Sequence, residues 1–114
     1  MPNQFKFAVV PVRVWGETKD PIKCQITPDG NLGFYKVGKG KTTFYALIHV
    51  KTGLRLSWLP SLEKVKKVAL AAQHPTLWNF DSPVLDPNHY IDIQEFYKGV
   101  LAQHGVEYRA WKSA

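Results

Sequence analysis

Three β-prone runs, residues 32–37, 42–50 and 54–58, are separated only by Gly38-Lys39-Gly40-Lys41 and by Lys51-Thr52-Gly53. Connections this short, polar and glycine-bearing join neighbouring strands as hairpins. In Leu54-Arg55-Leu56-Ser57-Trp58 the leucines and the tryptophan alternate with polar residues, as one buried sheet face requires. Upstream, residues 22–27 form another strand, closed by Pro28-Asp29-Gly30-Asn31, where a fixed proline φ and a permissive glycine make a tight reversal. Four consecutive strands therefore read as an antiparallel meander. Before them, FKFAVVPVRVW (residues 5–15) is a long strand whose inward parity switches near Pro11. A proline inside a sheet is confined to edges and bulges, which predicts a peripheral strand kinked or bulged at Pro11. Residues 16–20 read as a polar turn.

After Leu59-Pro60 the apolar period changes. Ser61 is a good N-cap for SLEKVKKVALAAQ, whose Leu62, Val65, Val68, Ala69 and Ala72 make a helical stripe. Lys64 and Lys67 fall on the opposite, wet side, and His74-Pro75 stops the helix. Residues 73–88 are then a long connection, and its Leu77, Trp78 and Phe80 predict that it packs down on the domain. For the second helix, Asp92 and Glu95 have capping-box spacing and Ile91 with Phe96 can form a hydrophobic staple. Its stripe is Ile93, Phe96, Tyr97, Val100 and Leu101, and Gly105 supplies the left-handed stop onto which Val106 closes. The final VEYRAW reads as a sixth strand or a packed tail. The expected fold class is α+β: an antiparallel sheet of about five strands, a meander, followed by two amphipathic helices, in a single domain over residues 1–114.

Several chemistries are disfavoured. Gly40-Lys41-Thr42 spells the end of a phosphate-binding P-loop, but Tyr35 stands where that loop needs glycine, and residues 42–50 read as a strand where it needs a helix. The single cysteine, Cys24, lies in a strand pattern and cannot form an internal disulfide. Histidines 49, 74, 89 and 104 are too far apart for a short metal-ligand motif, so neither metal nor cofactor is expected. Asp86, His89 and Asp92 are the densest titratable cluster, and the two aspartates read as turn and cap residues. No spacing encodes a familiar catalytic triad, and the expectation is a protein without catalysis. The opening MPNQFK lacks a secretion signal and no apolar run approaches ~20 residues, so the expected location is cytoplasmic, with no membrane partner.

Charge gives the positive indication. The chain carries 15 Lys plus Arg against 9 Asp plus Glu, for a net charge of +6, which attracts anionic partners. Between Asn31 and Leu62 stand Lys36, Lys39, Lys41, Lys51 and Arg55 without one acidic residue. If Ala46, Ile48 and Val50 face the core with Leu54, Leu56 and Trp58, the opposite face carries Tyr45, His49, Arg55 and Ser57. Placing Tyr35 and Val37 inward adds Phe34 and Lys36 to that outer face. Rings among cations suit single-stranded nucleic acid, because an unpaired base stacks on an aromatic side chain for about 1–3 kcal/mol while ammonium groups neutralise phosphates. The candidate nucleic-acid-binding residues are therefore Phe34, Lys36, Lys39, Lys41, Tyr45, His49, Lys51 and Arg55, for DNA or RNA. The alternative is a protein-interaction or inhibitor module whose Trp58, Trp78 and Trp111 meet another protein, together with an unpaired sheet edge.

Overall fold

The structure, a computed structural model, describes residues 5–15, 18–38, 40, 43–81 and 86–106. Five strands, β1 (Lys6–Trp15), β2 (Thr18–Ile26), β3 (Leu32–Val37), β4 (Phe44–His49) and β5 (Arg55–Leu59), form one antiparallel sheet in the order of the chain. Helices α1 (Leu62–Ala71) and α2 (Pro87–Gln103) come after the sheet. Among the described residues no helix is long and apolar enough to cross a membrane. The meander holds, and β1 is an edge strand as its proline suggested.

Pro11 makes no bulge. It lies opposite Pro21 in unbroken register, and the irregularity of this hairpin falls between Arg13 and Trp15. Neither proline has an N–H, so the pair fits only where the ladder bonds belong to the flanking pairs Val10–Ile22 and Val12–Asp20. The hairpin is also longer than expected, because residues 18–20 extend β2 instead of forming a turn.

The two hairpins are joined narrowly. Between β2 and β3 only Gln25–Phe34 and Ile26–Gly33 are in register, whereas β3 and β4 pair over six residues from Leu32–His49 to Val37–Phe44. Between β4 and β5 the register jumps from Leu47–Ser57 to Ile48–Arg55, which leaves Leu56 as an extra residue. Such a bulge breaks the two-residue alternation of side chains, so Leu56 and Ser57 both turn to the helices and Trp58 turns away.

Both sheet faces are covered over β4. On one, α1 contributes Val65, Val68 and Ala69 and α2 contributes Ile93, Tyr97, Val100 and Leu101 to a core with Leu32, Phe34, Leu47, Leu54, Leu56 and Leu59. The Ser57 hydroxyl bonds the Tyr97 hydroxyl across that core. On the other face, Val10, Val12, Cys24 and Ile26 meet Ile48, with Tyr35 and Val50 packed beside them. Burial pushes the Cys24 thiol up to about 11, the chemistry of an inert packing residue.

Local signals set the helix ends. Ser61 accepts the Lys64 N–H at 3.1 Å, and the α2 helix ends on Gly105 at φ 69°, with the Val106 N–H returning to the Leu101 carbonyl at 2.9 Å. The start of α2 differs from expectation. Asp86, not Asp92, caps it, accepting from the N–H groups of Asn88 and His89, and Pro87 occupies the first turn. Proline favours that position because its missing N–H has no intrahelical partner there, and this outweighs the later Asp92–Glu95 spacing. The expected element at residues 107–111 lies outside the described residues.

The connection between the helices does pack down, and His49 is its anchor. Its buried ring donates Nε2–H to the Trp78 carbonyl at 2.7 Å, accepts the Thr52 hydroxyl at Nδ1 over 2.8 Å, and stacks on Phe80 with centroids 4.0 Å apart. The Trp78 indole N–H in turn donates to the Ala72 carbonyl at 2.7 Å.

Burial, the largest influence, lowers the His49 imidazole to about 4. An unfolded histidine titrates near 6.5, so below that pH the unfolded chain takes up a proton that the folded chain refuses. Stability from this site is whole above about pH 6.5, declines as pH falls toward about 4, and is level below that, a loss of up to ~3 kcal/mol. Thermal melts across this range should show the decline, and His49→Gln should flatten it while lowering the neutral-pH midpoint. An unchanged slope in that variant would assign the acid sensitivity to other groups.

Candidate nucleic-acid interface

The eight residues expected to form one outer surface divide among several environments. Phe34, only 1% exposed, is part of the helix-covered core, edge-on to Phe5 at 5.1 Å and to Tyr45 at 6.4 Å. His49 is buried as described, so neither ring can receive a base. Both assignments fail for one reason: Phe34, Tyr45, Leu47 and His49 belong to the face turned toward the helices, not away from them. Arg55 lies on the opposite face, its guanidinium 5.0 Å from the Trp58 ring centre. Lys51 is exposed beyond the end of β4, its ammonium donating to the Asn79 side chain at 2.7 Å. Lys39 and Lys41 lie outside the described residues. Among the described residues of the eight, Lys36 and Tyr45 keep accessible surface side by side, as cross-strand partners with the lysine exposed and the tyrosine half-buried.

Around that pair the sheet opens. Beyond Gln25–Phe34, β2 and β3 are no longer in register with each other, and the Ile26 side chain covers Gly33 on the side of the smaller core. On the helix side this leaves a cleft of about 290 Å³ lined by Phe7, Lys23, Gln25, Phe34, Tyr35, Lys36, Tyr45 and Leu62. Phe7, the β1 partner of Gln25, is 61% exposed, and the Lys23 ammonium stands 4.9 Å from its ring centre. Lys36 on β3 and Lys23 on β2 thus bring two positive charges to a cleft with accessible aromatic surface, and no carboxylate lines it among the described residues. At this size it takes a ligand near the lower limit of the usual small-molecule range of roughly 300–1,000 Å³.

Phe7, Lys23 and Gln25 escaped the sequence reading because they lie on the two strands that precede the hairpin that attracted attention. A signal was present, since Phe5, Phe7 and Val9 share one parity of the first strand and Val10, Val12 and Val14 the other. Only the register of β1 on β2 and of β2 on β3 aligns the Phe7 row with Lys36 and Tyr45. No protein-family model matches the chain, and no curated protein or solved structure matches it either.

Gly33 sits at the junction of β2 and β3 beside the cleft. A Cβ there would lie 2.8 Å from Ile26 Cδ1 and 3.2 Å from the Gln25 carbonyl oxygen, inside ordinary contact distance for both. The Ile26 methyl can swing aside, but the Gln25 carbonyl must give by a few tenths of an ångström, so Gly33→Ala should strain the strand junction, with a loss of about 1–3 kcal/mol in denaturant unfolding. A variant as stable as the parent would show that the strand junction yields freely.

Proposed function

We propose that this chain binds single-stranded nucleic acid in the cleft between β2 and β3. The observation that carries the reading is the pairing of Lys23 and Lys36, from strands that diverge, with the aromatic surfaces of Phe7 and Tyr45 in a cleft whose described lining holds no acid. In this reading an unpaired base lies against Phe7 or Tyr45 and the two ammonium groups hold flanking phosphates. A stacked duplex offers no free base face to such a cleft, which favours single strands. The net charge of +6 assists encounter with a polyanion. The neutral polar side-chain groups that the described lining turns to the cleft are the Gln25 amide and the Tyr45 hydroxyl, too few to read several base edges, so recognition is expected to tolerate many sequences.

A second reading, a protein-interaction module, is favoured by a different observation. Phe7 and Val9, 61% and 67% exposed, lie on edge strand β1, where an extended partner segment could add to the sheet. Of the tryptophans named for that role, Trp58 is 47% exposed, Trp78 is buried and Trp111 lies outside the described residues.

Fluorescence anisotropy with a labelled single-stranded oligonucleotide separates the readings. Affinity should fall steeply between about 50 and 200 mM salt. Lys23→Ala with Lys36→Ala should weaken binding at least about tenfold and reduce the salt slope by about 0.7 for each ammonium removed, while Lys98→Ala on α2 leaves both unchanged. Equal binding by the double variant and the parent would reject the cleft as the site.

A further inference from the structure

We infer that the bound strand does not end in the cleft but continues round the β3–β4 end of the sheet to a second stacking position on Trp58, on the opposite face. This rests on the nucleic-acid reading of the cleft and adds to it a second contact and a minimum ligand length.

Adjacent residues of a strand point to opposite faces, so Tyr45 enters the cleft while Phe44 emerges behind it. The Phe44 ring meets the Trp58 indole edge-to-face, with centroids 4.9 Å apart and planes at 77°. Trp58 pairs with Ala46 on β5, the far edge of the sheet, and nearly half of its surface faces water. Arg55 lies over that indole and also bonds the Tyr35 phenol, so a guanidinium with several donors is held beside an exposed ring. A guanidinium laid on part of an indole offers donors to a phosphate, and the indole surface that still faces water is there for a base.

The two positions are linked by electrostatics as well as by geometry. From Asn31 to Leu62, the segment that builds β3, β4 and β5, every charged side chain is basic. A polyanion crossing from Lys36 to Arg55 meets no carboxylate of this segment on its way, whereas an acidic partner of limited length would have no reason to engage both faces. The cleft itself is too small for more than about one nucleotide at a time, so a strand bound there must leave it in some direction. Arg55 at Trp58, with no acidic residue in the segment between, favours this one.

The test uses the full chain and oligothymidylates of increasing length. Anisotropy should show that a dinucleotide binds equally to the parent and to Trp58→Ala, whereas an oligomer of about 12 nucleotides binds the variant some tenfold or more weakly. Trp58→Phe should recover part of that loss. The longer oligomer should also protect parent indole fluorescence from acrylamide, to a degree that Trp58→Phe abolishes and the dinucleotide does not reproduce. Loss in Lys23→Ala/Lys36→Ala but none at any length in the Trp58 variants would overturn the second contact while leaving the cleft in place. Absence of oligonucleotide binding at every length would overturn both.

Discussion

Two residue pairs, Gln25–Phe34 and Ile26–Gly33, hold the β1–β2 hairpin to the rest of the sheet, and the arrangement of every surface depends on that narrow join. At that join the bare backbone of Gly33 leaves room for the Ile26 side chain, which packs in the smaller core with Ile48. This second apolar layer lies on the face opposite the helices, which is why Ala46, Leu47 and Ile48 are buried in succession without the alternation of a one-sided strand. On the helix side, the cleft lies beside the same short junction.

The meander was legible in the sequence because short glycine-bearing connections leave adjacent strands no other way to run. The first helix was legible from Ser61 and its apolar stripe, and the end of the second from Gly105. The faces of β3, β4 and β5 were not. Strict alternation in Leu54, Leu56 and Trp58 looks like one buried row, but the extra residue at Leu56 changes sides midway. That single irregularity carries the assignment of Tyr45, His49 and Arg55 with it. Bulges depend on pairing between strands, and pairing is not written in either strand alone. Likewise the Asp92–Glu95 spacing imitates a helix start, while the helix begins earlier at Asp86-Pro87, where the aspartate accepts two N–H groups and the proline gives up none that the helix needs. For the candidate site, charge segregation singled out Lys36 and Tyr45, which line the cleft, but Phe7 and Lys23 join them there only through the register of the neighbouring strands.

His49 shows how a residue that looks suited to chemistry can serve architecture. Both ring nitrogens are engaged and its face is covered by Phe80, so one imidazole fastens residues 78–80, which belong to no helix or strand, to the end of β4. A hydrocarbon side chain could fill the volume but would leave the Trp78 carbonyl without its donor, and an unsatisfied buried acceptor is costly. The polar group is retained for its directionality.

The facing prolines bear on a different hazard. Where two strands oppose each other without exchanging bonds, their N–H groups point outward, so Pro11 removes a donor from the free rim of β1. An apolar rim carrying Phe7 and Val9 could otherwise template the growth of chain upon chain into a fibril. Interrupted at its middle, it can accept at most a short visitor, and continuous polymerisation along that border is denied its ladder.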